Sequence, residues 1–208
     1  ATLIDQKQVQ FKDLLTELRD AGIVLASEAD ISAAERAWLE DYFVERIFPV
    51  VTPLTVDPAH PIPFIQNRGL KLGLQLIDDD DKLKNGLVPI PGQFDRFIRL
   101  PADPSILGVI RFVAIEDVIG LFGEMLYPGF EIRAKGAFRV LRDSDIEYQE
   151  EAEDLTQAYE ALLRQRRRGN VIRLETEAKM PDDLRDFVVK QLEVGPEGVF
   201  IKDGMLGM

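Results

Sequence analysis

A single histidine, four consecutive aspartates and two groups of basic residues carry whatever chemistry this chain of 208 residues could perform. His60 offers an imidazole that titrates near neutrality, the kind of group that acts as general base or accepts a phosphoryl group. It stands between Ala59 and Pro61 with Asp57 as its only near carboxylate, so its neighbours favour a turn residue in a connector. Asp78 to Asp81 could offer oxygens to a divalent cation, but the alternating spacing and glycine of a calcium loop are missing, and a solvated turn is expected. Arg164, Arg166, Arg167 and Arg168 crowd the end of a helical pattern. Guanidinium groups there suit a phosphate chain through bidentate contacts, and they equally offset the helix dipole. Arg133, Lys135, Arg139 and Arg142 form a second basic group at strand spacing. Asp143, Asp145 and Glu147 follow Arg142 as D-S-D-I-E and read as a turn between strand and helix. Neither glycine-rich phosphate-binding pattern, G-x-G-x-x-G or G-x-x-x-x-G-K-S/T, occurs, and the chain has no cysteine for a thiolate, a disulfide or a sulfur-bound zinc. Read this way, the residues assemble no catalytic, cofactor-binding or metal-binding constellation.

The formal charge of −12 works against capture of DNA or of an anionic membrane over most of the surface. Hydrophobic residues at 46% and charged residues at 30% describe an ordinary globular chain, and no apolar run reaches bilayer-crossing length. A soluble protein is therefore expected, with the lack of cysteine favouring an intracellular one. No basic segment followed by an apolar stretch opens the chain, so a signal peptide is not expected. The first residues run straight into a helical pattern and the last, from Phe200, are apolar without a stop signal. That suggests a piece of a longer protein.

The elements that must position these residues follow from periodicity. Phe11, Leu14, Leu15 and Leu18 predict a helix from Gln6 to Asp20 closed by Gly22, and a short strand follows at Ile23 to Leu25. Ser32 and Glu35 form a capping box opening a helix to about Phe48, with Trp38, Leu39, Tyr42, Phe43 and Ile47 inward. Five prolines from Pro49 to Pro63 then impose a polyproline-like connector, whose Val51, Leu54, Val56, Ile62 and Phe64 pack on a core. Leu70, Leu72, Leu74 and Leu76 alternate as in a half-buried strand, ended by the aspartates. Gly86 to Ile90 and Phe94 to Leu100 predict a hairpin around Pro91-Gly92, and Val109 to Ile115 a central strand. An apolar helix through Val118 and Leu126 precedes Pro128-Gly129, and strands at Phe130 to Ala134 and Ala137 to Arg142 flank Gly136. Alternation places Arg133 and Lys135 on one face, and Arg139 opposite Phe138 and Val140. A helix from Glu150 to Arg168, a strand at Val171 to Thr176, a helix opened by Pro181 and an extended end at Gly198 to Ile201 complete the pattern. Strands mixed with helices, without strict βαβ alternation, predict an α+β fold with a mixed sheet flanked by helices.

Three segments resemble one family. They are the connector VTPLTVDPAHPIPF, the strand and turn FRVLRDSDIE at Phe138 to Glu147, and the block from Arg168 through Met180-Pro181-Asp182-Asp183-Leu184-Arg185. In this order and spacing they are similar to the polyphosphate kinase family, over essentially the whole chain. The resemblance implies that residues 1–22 are the last helix of an N-terminal helical domain and 23–208 the middle, or head, domain. It implies an enzyme that reversibly moves the terminal phosphoryl group of ATP to inorganic polyphosphate through a phosphohistidine, with magnesium, as a cytoplasmic oligomer, with peripheral membrane association open to the full enzyme. It places the phosphohistidine and most ATP contacts in two C-terminal domains beyond these residues. His60 therefore does not inherit that role, and the head domain is expected to be structural and to build subunit contacts. A helix as apolar as Val118 to Leu126, and the residues from Met205 to Met208, are expected to be covered by other domains or subunits. Two alternatives stand beside this: a polyphosphate-binding module using Arg133, Lys135, Arg139, Arg142, Arg164, Arg166, Arg167 or Arg168, and a stand-alone protein-interaction adaptor.

Overall fold

A computed structural model describes residues 3–56, 65, 67–102, 108–143 and 171–207. Helix α1 (Leu3–Asp20) ends where Gly22 takes a φ of 80°, a left-handed stop that glycine enters without a Cβ penalty, and β1 (Ile23–Ala26) follows. Helix α2 (Ala33–Tyr42) opens on the expected capping box: the Glu35 N–H donates to Ser32 Oγ at 3.2 Å and the Ser32 N–H to Glu35 Oε2 at 2.9 Å. Its last turn widens into a π-helical segment, Phe43–Ile47, closed by the Phe48 N–H on the Phe43 carbonyl at 2.8 Å. Leu39, Phe43 and Ile47 are fully buried, and Trp38 and Tyr42 pack beside them, as the periodicity predicts.

The strands form two mixed sheets. In the smaller, β6 (Ile110–Ala114) lies in the centre, parallel to β1 and antiparallel to β5 (Phe97–Arg99). The larger has the order β2-β4-β3-β7-β8-β9, built from β2 (Leu54–Val56), β3 (Leu70–Ile77), β4 (Leu83–Pro89), β7 (Glu131–Arg142), β8 (Val171–Glu177) and β9 (Val199–Lys202). One core lies between this sheet, the smaller sheet, α2 and the helical segments α3 (Ile115–Leu121) and α4 (Gly123–Leu126). A second lies under α5 (Asp182–Gln191), where Leu184 and Val188 meet Phe138, Val140 and Leu174.

Several expectations are corrected here. The hairpin joins β3 to β4 across the aspartate turn, with Asp81 at a φ of 58°, while the chain crosses at Pro91-Gly92 from one sheet to the other. Prolines at 89 and 91 withhold the donors that would continue pairing there. The strands predicted on either side of Gly136 are one twelve-residue strand, β7. Strand β3 is buried on both faces through its middle, because α5 covers the side that carries Gly73 and Gln75. Within the connector, Leu54–Val56 is an edge strand on β4; residues 57–64, His60 included, lie outside the described residues, as does the helix expected at 150–168. The apolar helix breaks at Phe122 (φ −112°, ψ 20°), and Val118, Ile119, Phe122, Leu126 and Leu206 are buried within the chain itself, while Met125 is 38% exposed.

Tyr127 fastens the edge strand. Its hydroxyl lies 3.0 Å from the Leu54 carbonyl and 3.1 Å from the Leu87 carbonyl, and burial pushes the phenol up to about 12. Tyr127→Phe leaves those carbonyls without this donor and is expected to cost about 1–2 kcal/mol in urea unfolding. A raised folded value means that ionisation disfavours the native state, so the wild type loses stability above pH 10 while the phenylalanine variant lacks that decline.

Candidate functional site

The side chains that could act on a ligand gather along one face of the large sheet, where strand alternation sets Leu70, Leu72, Ala137, Arg139, Arg173 and Glu175 on the same side. The first part of this face is apolar and seals the main core. The remainder is charged. Arg139 and Glu175 are direct cross-strand partners, and Glu175 lies between two guanidinium groups, 3.6 Å from Arg139 Nη1 and 2.7 Å from Arg173 Nη2. Arg173 also stacks over the Phe200 ring at 4.3 Å, an arrangement that holds a guanidinium flat against the sheet.

Of the sequence-predicted basic residues, those on β7 do not converge. A bulge opposite Gln75 and Leu76 leaves Arg133 without a cross-strand partner and breaks the alternation that would have set it beside Lys135. Arg133 is exposed on the α5 side, where it helps the Gln75 amide hold the Asp183 carboxyl below its usual range. Lys135 turns to the opposite side and pairs with Glu28 at 2.6 Å. Arg139 donates from Nε to the Arg68 carbonyl at 3.1 Å, and Arg142 from Nε to the Ile65 carbonyl at 3.0 Å. Arg164, Arg166, Arg167 and Arg168 lie outside the described residues.

Sequence reasoning missed a second group, the charges paired around the smaller sheet and where it meets the larger one. Glu116 at the start of α3 takes Arg96 Nη2 at 2.5 Å on Oε1, while its buried Oε2 has no hydrogen-bond partner. Glu177 accepts the Ala137 N–H at 2.8 Å, replacing a ladder bond where the β7–β8 pairing stops. Lys179 lies 3.1 Å from Asp117 and 3.6 Å from Glu177. Arg111 binds Glu35 at 2.8 Å; burial alone would raise that carboxyl, but Ser32 and Arg111 hold it below its usual range. Apart from Lys179–Glu177, these contacts join residues about 20 to 80 positions apart, and no spacing rule announces them. Arg96–Glu116 and Arg111–Glu35 brace the smaller sheet against α3 and α2, and Lys179–Asp117 links the turn after β8 to α3.

Burial pushes the Glu177 carboxyl up, and Asp117 and Glu116 add to it against the Ala137 amide and Lys179. An acid raised on folding binds more protons in the native state, so its ionisation costs stability as pH rises from 4.5 through the raised value. Glu177→Gln keeps an oxygen for the Ala137 amide and removes that titration. Its unfolding free energy is expected to gain on the wild type steadily between pH 4.5 and neutrality; parallel profiles in urea would contradict the assignment.

Among the described residues no group of three or more histidine, cysteine, aspartate or glutamate side chains is placed to hold a metal ion. No helix among them is long and apolar enough to cross a membrane.

Two mixed sheets, with one long strand contributing to both cores, define an α+β domain. A crystal structure of polyphosphate kinase from Porphyromonas gingivalis shares this fold with a TM-score of 0.75 at 21% identity, over 96% of this chain and 28% of that one. The family model of the polyphosphate kinase middle domain matches residues 34–208. Polyphosphate kinases of Erythrobacter litoralis and Mycolicibacterium gilvum are 42% and 40% identical over 99% and 92% of this chain. The chain belongs to the polyphosphate kinase family, and its residues 34–208 correspond to the family's middle domain. It spans 28% and 26% of the length of those two relatives.

Proposed function

We propose that this chain is the head portion of a longer polyphosphate kinase, in which residues 1–22 close an N-terminal helical domain and 23–208 form the head domain. The whole enzyme, in this reading, is a cytoplasmic transferase that moves the terminal phosphoryl group of ATP reversibly to inorganic polyphosphate through a phosphohistidine, with ATP and magnesium held by domains other than this one. The head portion contributes structure and subunit contacts, and by itself is inert. The observation that carries this is the pairing of near-complete cover of the chain with cover of only 28% of its Erythrobacter relative. The most buried of the described ion pairs, Arg96–Glu116 and Arg111–Glu35, support it, since they brace the smaller sheet against α3 and α2.

Exposed apolar residues support the assembly part. Val44, Phe48 and Val50 are 49%, 45% and 40% exposed around the end of the π segment, a local concentration that a subunit contact would cover. Light scattering coupled to gel filtration, over a range of concentration and salt, tests it. A dimer that persists at high salt is the expected result, because apolar contacts are not screened; a monomer at every concentration would overturn the assembly role.

A further inference from the structure

We propose that the cavity between the carboxyl ends of β1, β6, β8 and β9 binds a small protonated primary amine. It has a volume of about 250 Å³, and the residues lining it lie at or near one of those four strand ends. Ala26 ends β1, Ala114 leads from β6 into α3, Glu177 ends β8 and Lys202 ends β9. Strands β1 and β6 run parallel in the smaller sheet, and β8 and β9 run parallel in the larger, so two parallel pairs from different sheets open onto one space. In open sheets with parallel strands this is the crevice that takes ligands, because side chains from several strand ends converge there.

The charged groups select the ligand. The lining carries four carboxylates, Glu116, Asp117, Glu177 and Asp203, and two ammonium groups, Lys179 and Lys202. From outside the lining, Arg96 holds Glu116 Oε1 and Lys12 lies 2.6 Å from Asp203. Lys179 is shared between Asp117 at 3.1 Å and Glu177 at 3.6 Å, and Lys202 is buried and already engaged. Two glutamate oxygens remain without a hydrogen bond among the described residues. Glu116 is only 4% exposed, yet its Oε2 has no partner. Glu177 accepts the Ala137 N–H on Oε2 at 2.8 Å, while Lys179 stands too far from Oε1 for a hydrogen bond. A carboxylate oxygen withdrawn from water is costly until a donor meets it. The last torsion of a glutamate is soft, so an uncommitted oxygen can turn to a donor in the cavity. Burial pushes the Glu177 carboxyl up, and Asp117 and Glu116 add to it, so a further positive charge here relieves carboxylates that repel one another. Among the described residues these acids do not converge as ligands to a metal ion, and a cation that brings its own N–H donors fits instead. A primary ammonium has three donors and one charge on a compact head. Its alkyl chain would meet Leu25, Ala114 and Met205 on the cavity wall. The site rests on these residues and not on the proposed function.

Titration of the isotope-labelled 208-residue chain with butylammonium, followed through its backbone amide resonances, tests the site. Saturable shifts are expected, largest at Asp117, Ala137, Glu177 and Lys179. Tetramethylammonium has the same charge but no N–H, and is expected to bind about tenfold more weakly, the loss of a charge-assisted hydrogen bond. Glu177→Gln keeps an oxygen for the Ala137 amide and so keeps the fold, but it puts an NH₂ donor where the ammonium must donate. It is expected to weaken butylammonium binding about tenfold. Glu124→Gln, which neutralises an exposed carboxylate of a different cavity, is expected to leave binding unchanged. Absence of saturable shifts at the four amides would overturn the site, and so would tetramethylammonium bound as tightly as butylammonium. Undiminished binding by Glu177→Gln, or equal weakening by Glu124→Gln, would reduce the effect to attraction by the net charge of −12 and overturn it as well.

Discussion

Gly136→Val is expected to lower the stability of the chain by about 3 kcal/mol or more and its melting temperature by roughly 10 °C. A Cβ at this position would sit 2.5 Å from Met180 Cβ, 2.8 Å from its Cγ and 2.9 Å from its Cα. The methionine cannot retreat. It is 2% exposed, its N–H is bonded to the Glu177 carbonyl at 3.1 Å, and its carbonyl accepts Arg185 Nη2 at 2.6 Å. Arg185 in turn reaches Thr176 Oγ1 at 3.3 Å and the Asp182 carboxylate, so the turn from β8 into α5 is clamped against the middle of β7. Gly92→Ala supplies the control, because nothing lies within 4 Å of its added Cβ, and a change under about 1 kcal/mol is expected there. Thermal unfolding of the two variants side by side decides it; similar melting temperatures would refute the close approach.

The second large effect is expected from Arg96→Met. Glu116 is almost wholly buried, with 5% of its side chain exposed, and one of its oxygens already lacks a partner. Removing the guanidinium leaves an uncompensated buried carboxylate and also frees the Leu206 carbonyl that Arg96 Nη1 holds, for an expected loss of about 3–5 kcal/mol in urea unfolding. Most of that cost is the stranded charge and not the value of the pair itself. Combining Arg96→Met with Glu116→Leu is therefore expected to recover much of the loss. A double variant no more stable than Arg96→Met alone would show that the arginine acts through some other contact.

Helices α1, α2 and α5 and most strands were legible because each depends on neighbours a few positions away. The Ser32-Glu35 box, the leucines of β3 and the inward face of α5 read directly. Gly136 misled for a physical reason. A glycine inside a strand pattern marks either a break or a close approach, and the sequence alone does not say that Met180 is what approaches. Pro91-Gly92 has the composition of a hairpin turn, yet the hairpin forms at aspartates that reach a left-handed conformation without glycine. The division into two sheets was not legible, since β1 pairs with β6 over more than eighty residues and no local pattern records such a pairing. The same holds for the cavity around Arg68, which is lined by an arginine on β7, a loop before β3 and the segment after β9. Of the basic residues picked out by spacing, Arg139 lies in that groove, while the bulge in β7 turns Arg133 away from it.

The central claim, that this chain supplies structure and not phosphoryl transfer, is tested most directly by incubating the purified 208-residue chain with ATP, magnesium and a short polyphosphate primer and measuring polyphosphate chain length against a protein-free blank. The account predicts no lengthening over the blank at any enzyme concentration. Lengthening that scales with the amount of chain and needs ATP would contradict it.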